Sequence, residues 1–159
     1  EQETNTFSIA FAFVYAPLLA GSNLLYGFPF LKRDVYYLVL IYGVTNEALL
    51  APDPHALEIL GWSDARKIKN NWHLHRWFMP IFLHGHLEHI IGNLSGQLFM
   101  GAGIEHGIGF WSFVLLYMLT GLGGNLLSCC IKPESYSVGA STAVFGLVGY
   151  LVAYIITNW

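Results

Sequence analysis

The chain has 159 residues, of which 55% are hydrophobic and only 11% charged, with a formal net charge of −3 and a mean hydropathy of +0.51. That length fits a single domain, and a small acidic balance offers no basic surface for nucleic acid, so no nucleic-acid partner is expected. Charge content this far below the soluble norm of about 25% excludes an ordinary water-soluble globule and marks an integral membrane protein.

In chain order, residues 1–6 are polar and read as a solvated end. The charge-free run 7–31 exceeds the ~20 residues that span a bilayer core. Pro17 and Gly21-Ser22-Asn23 interrupt it. It reads as a kinked membrane helix or a helix along the interface, with a membrane location favoured. Lys32-Arg33-Asp34 marks a boundary, and a second apolar run, 35–50, contains Asn46 and Glu47. That run is short for a span unless it starts a turn earlier, its basic stems snorkelling to the interface. Residues 1–50 are therefore taken as N-terminal membrane segment(s) and 51–159 as the core. The chain begins with Glu1 and ends with Trp159, and whether it is a fragment stays open.

Residues 51–79 are the least membrane-like. Asp53-Pro54 predicts a helix start, and Gly61 predicts the stop of a short helix ending at Leu60. Four bases, Arg66, Lys67, Lys69 and Arg76, fall here. A positive-inside reading places them on the cytoplasmic side, although a structured loop can hold bases by pairing. Trp62, Trp72 and Trp77 place the segment at the depth of the membrane–water boundary. A helix is predicted from about His86 to Met100, ending at Gly101-Ala-Gly103. Long spans follow from Gly107 to Ile131 and from about Ser137 to Trp159. Cys129 and Cys130 adjoin in the first of these, and are expected to be buried small hydrophobes rather than a disulfide or metal pair.

The stretch 80–97 concentrates His84, His86, Glu88, His89, Asn93 and Gln97 in apolar surroundings. Unpaired polar groups in hydrocarbon cost several kcal/mol, so such a helix marks a functional site by default. Residues 89, 93, 97 and 100 share one helical stripe. Three readings follow. The first is a polar packing seam, worth about 0.6–2 kcal/mol per contact. The second is metal, because imidazole and carboxylate suit zinc; yet no histidine follows His106 and no aspartate follows Asp64, so neither a metal nor another cofactor is expected. The third is a nucleophile. Ser141 lies in Gly139-Ala-Ser141-Thr142, where small neighbours admit a substrate backbone. A serine needs oxyanion donors and a base, and His89 and Asn93 could donate from a facing helix.

Taken together, Arg76-Trp-Phe-Met-Pro-Ile-Phe-Leu-His84, His89-Ile-Ile-Gly-Asn93, Gln97, Gly101-x-Gly-x-Glu105, Tyr117 to Asn125 and Gly139-Ala-Ser141 resemble, in order and spacing, the rhomboid intramembrane serine proteases. The resemblance runs from about Pro52 to the last residue and is strongest over 76–149. It implies an all-α, rhomboid-like helical bundle of about four to five transmembrane helices, without the family's last two core helices. It also implies Ser141 as nucleophile, His89 and Asn93 as oxyanion donors, Gly139 two residues before the serine, and His84 as a supporting histidine. Arg76 and Glu105 would pair to pin the first loop, and Phe145 would stand near the base. Thr142 replaces the usual glycine after the serine and is expected to crowd the pocket.

The family's general base is a histidine on the sixth helix, whereas all seven histidines here precede Ser141. The leading expectation is therefore a proteolytically inactive pseudoprotease or membrane subunit of a larger assembly. Its partners would be lipid and another membrane polypeptide packed on residues 137–159. The alternative is an active intramembrane serine endopeptidase acting on a transmembrane protein, its remaining helices on another chain or missing from this sequence. The organelle stays open, with the mitochondrial inner membrane among the compartments allowed.

Overall fold

The computed structural model describes residues 44–45 and 51–159, and these are mostly helical. The run 7–31 lies outside them, as does 35–50 apart from Val44–Thr45. Those two residues are extended rather than helical: β1 (Val44–Thr45) pairs antiparallel with β2 (Ala51–Pro52), Val44 facing Pro52 and Thr45 facing Ala51.

Two short helices follow, each begun by an aspartate. In α1 (Pro54–Leu60) the Asp53 carboxylate accepts from the His55 amide at 2.8 Å, and Gly61 ends the helix in the left-handed region at φ 102°. Helix α2 (Ala65–Asn71) is capped by Asp64, which accepts from the Arg66 and Lys67 amides at 3.0 and 3.1 Å. These caps satisfy amides that have no partner inside the helix. The bases are largely paired, as Lys67 bonds Glu58 and Arg66 meets Glu134 at 3.1 Å. The single turn α3 (His75–Phe78) runs into a 3₁₀ turn, Met79–Phe82.

Helix α4 (Leu87–Gly96) continues through a π-helical stretch, Gln97–Gly101, into α5 (Ala102–Ile108), which stops at Gly109 with φ 83°. The helix expected to end at Gly101 therefore runs one to two turns further. The buried stripe along it reads Ile90, Asn93, Gln97, Gly101 and Ile104, with Met100 half-buried against the core. Helix α6 (Phe110–Ile131) is long and apolar enough to cross a membrane, at about 33 Å for its 22 residues. Helix α7 (Ser141–Thr157) is apolar and shorter.

The seam between α6 and α7 is built on missing side chains. A Cβ on Gly146 would overlap Thr120, one on Gly124 would sit 2.7 Å from the Thr142 Cβ, and one on Gly121 would sit 2.8 Å from Ile81 Cδ1. Small residues let membrane helices approach this closely. Ile81, Ile104, Phe113, Tyr117, Ala140, Ala143 and Leu147 form the core around that seam. Gly121, Gly124 and Gly146 are thus used inside the bundle.

Candidate active site

Two segments converge where the 3₁₀ turn meets the start of α7. The Gly139 amide donates to the Pro80 carbonyl at 2.8 Å, which fixes the chain two residues before Ser141. Gly139 has φ +123°, a conformation strained for any L side chain, and a Cβ there would lie 2.7 Å from His89 Nε2. Only glycine meets both demands, so the imidazole of His89 rests directly on the backbone leading to the serine.

The three histidines of 84–89 have different tasks. His84 is buried, and its ring meets that of His89 edge-on with centroids 5.4 Å apart. His86 opens α4, its Nδ1 accepting from the His89 amide at 3.2 Å; that nitrogen is engaged in capping. Among the described residues no group of three His, Cys, Asp or Glu side chains is arranged to hold a metal ion.

Asn93 follows His89 by one turn. It is 7% exposed, and its buried Nδ2 has no hydrogen-bond partner among the described residues. An amide donor left unpaired in a dry interior costs about 1–3 kcal/mol, and it is available to an oxygen arriving from outside. His84, Asn93 and Gln97 border a cavity of about 450 Å³ whose wall also includes Tyr117 and Ala140, the residue before Ser141.

The direction of Ser141 follows from its neighbours at 100° per residue. Thr142 faces α6, donating from Oγ1 to Asn125 Oδ1 at 3.2 Å over Gly124. Ala143 is fully buried by Gly121, and Val144 meets Gly96 of α4. Phe145 is 74% exposed. Ser141 therefore falls on the flank of α7 between the α4 contact and the uncovered face. The two contacts His89–Gly139 and Gly96–Val144 show α4 running alongside α7 in the same sense, with Asn93 and Ser141 both between them. Ser141 also opens its helix, where first-turn amides have no partner inside the helix and the dipole favours negative charge.

Thr142 does not crowd the pocket, because its side chain turns to α6. The expected Arg76–Glu105 pair does not form. Arg76 is buried and donates instead to the Trp62 carbonyl at 3.3 Å and to His73 Nδ1 at 3.4 Å. The cysteines are not both buried: Cys130 is exposed, and Cys129 lies 3.2 Å from Ser63 Oγ.

Asn125 was quoted in the motif without a task, and the structure supplies one. It is buried, donates to the Trp77 carbonyl at 2.9 Å and accepts from Thr142, tying α3 to α7 across α6. A clasp between sequence-distant loops was also unforeseen. Ser63 and Ser137 form an antiparallel bridge, Trp62 stacks on Tyr136 at 4.5 Å, and Arg66 donates to the Tyr136 hydroxyl at 2.9 Å.

The rhomboid domain model matches residues 71–159, more than half of the chain. This chain belongs to the rhomboid family. RHOMBOID-like protein 1 of Arabidopsis thaliana is 38% identical over 134 residues, covering 80% of this chain and 34% of that relative. RHOMBOID-like protein 6, mitochondrial, of the same plant is 34% identical over 110 residues, covering 69% and 36%. Rhomboid-like protease 3 of Toxoplasma gondii is 36% identical over 108 residues, covering 68% and 41%. The chain thus spans between 34% and 41% of the length of these relatives. No solved structure matches it. Rhomboids are integral membrane proteins, and the length of α6 agrees with that.

Proposed function

We propose that this chain carries the nucleophile and oxyanion half of a rhomboid-type intramembrane serine endopeptidase site, its general base coming from polypeptide outside these residues. What supports it is the buried, unpartnered Nδ2 of Asn93 together with the His89 imidazole resting on the Gly139 backbone two residues before Ser141. In this mechanism the Ser141 hydroxyl attacks a peptide carbonyl of a transmembrane substrate and its proton passes to the base. Negative charge on the former carbonyl oxygen is received by Asn93 Nδ2, His89 and the Ser141 amide, with His84 supporting His89. Removing one such donor costs a factor of about 10²–10³ in comparable hydrolases. The face of α7 bearing Phe145 and Val152, exposed by 74% and 51%, is where the covering membrane segment and its base would pack.

The alternative, an inactive membrane subunit, is what a failed test would return. Fluorophosphonate labelling in the native membrane, expected in the wild type and lost in Ser141→Ala, tests the proposal. No labelling in the intact assembly overturns it.

A further inference from the structure

At the C-terminal end of α6, on the side facing α2 rather than the serine cavity, lies a second cavity of about 430 Å³. It opens between α2 and the last turns of α6, with Arg66, Lys69 and Asn70 on one side and Leu126 and Cys130 on the other. This is where α6, which is long and apolar enough to cross a membrane, ends, and the end of such a span is the depth at which headgroups would lie.

Its charges do not cancel. Glu134 answers Arg66 at 3.1 Å, and Lys67 is taken up by Glu58. Lys69 in the cavity wall and Lys132, which caps α6 beside the lining Pro133, are both exposed and without an ion pair among the described residues. Below these cations an apolar ridge continues along α6. Leu126, Leu119 and Leu115 are 47%, 58% and 59% exposed and share one helical face by their spacing. Cations beside an exposed aliphatic ridge match a phosphate joined to acyl chains, whereas free phosphate has no use for the ridge. Basic pockets beside membrane helices recognise anionic headgroups in this way.

We propose that this pocket seats an anionic phospholipid, its phosphate at Lys69, Lys132 and Arg66 and an acyl chain along Leu126, Leu119 and Leu115. The test is native mass spectrometry of the full chain in its native assembly, released from nanodiscs of phosphatidylcholine with or without phosphatidylglycerol. Wild type is expected to retain phosphatidylglycerol in preference to phosphatidylcholine, and millimolar inorganic phosphate is expected not to displace it. Lys69→Gln with Lys132→Gln should weaken retention about thirtyfold, near fivefold per lysine, and Lys69→Arg with Lys132→Arg should restore it. Cys130→Phe, which fills the cavity without altering charge, should also abolish retention. Equal retention of the two lipids by wild type, wild-type retention in Cys130→Phe, or displacement by phosphate alone would each overturn the assignment. Ser141→Ala should bind lipid normally whatever the outcome of fluorophosphonate labelling, so this site and the serine site stand or fall separately.

Discussion

The seam between α6 and α7 and the ledge formed by α1 and α2 are both close to Ser141 in the fold, yet they are held in opposite ways. In the seam, contact comes from absent side chains and neutral hydrogen bonds: Gly146 against Thr120, Gly124 under Thr142, and Asn125 joining Trp77 to Thr142. On the ledge, contact comes from capping carboxylates, the Lys67–Glu58 pair, Arg66 with Glu134, and a ring stack. A seam of this kind has no room to yield and no dependence on ionisation. The ledge can yield, and part of its strength depends on pH and salt.

Gly146→Val should break the seam outright. Its Cβ would overlap the Thr120 side chain, and overpacking costs about 1–3 kcal/mol or more, so the expected result is loss of the monodisperse folded species in detergent size-exclusion. Thr120→Ala should fail to rescue it, because the Thr120 Cβ is itself one of the overlapping atoms.

Asn125→Ala should rank next. It strands the Trp77 carbonyl and the Thr142 hydroxyl in a buried site, which costs about 2–3 kcal/mol, read as a lowered melting temperature. Thr142→Val removes only one of those bonds and should cost about half as much.

The smallest effect belongs to the ledge. The hydrogen bond from Lys67 holds the Glu58 carboxyl below its ordinary value of 4.5. A depressed folded pKa means that the unfolded chain binds the proton more readily. The stabilisation is therefore complete above the unfolded pKa and is lost as pH falls through the folded value. Melting temperatures measured from pH 6 down to pH 3 should fall more in wild type than in Glu58→Gln. The difference is small, since exposed pairs contribute only about 0–1 kcal/mol. A large pH effect that survives Glu58→Gln would show that the Lys67–Glu58 pair is not its source.

What could be read in the residues beforehand divides along the same line. Local chemistry was legible: Asp53-Pro54 and Gly61 bound α1 as their backbone preferences require. The approach of His84, His89 and Gly139 to one another was legible through resemblance, because it is carried by spacing. The π turn at Gln97–Gly101 was not, since apolar periodicity does not register one extra residue. Nor could Arg76 be assigned to the Trp62 carbonyl, because a backbone acceptor leaves no mark in a side-chain pattern. The clasp of Ser63 and Trp62 on Ser137 and Tyr136 joins residues far apart in sequence, and no local window contains both halves. Thr142 was misjudged for a related reason: whether a β-branched residue crowds a pocket depends on helical phase, and the phase was fixed by Gly124 and Asn125 on another helix.

That phase has a chemical consequence. Ser141 and Thr142 are adjacent alcohols at the mouth of one helix, and a reagent could in principle acylate or phosphonylate either. The Thr142 hydroxyl is turned toward α6 and held against Asn125, which shields it from a reagent outside. An electrophile entering from the uncovered flank of α7 would reach Ser141 before Thr142, so a modified peptide should carry its adduct on the first residue of the pair. Helical phase alone would then decide which of two neighbouring alcohols is modified.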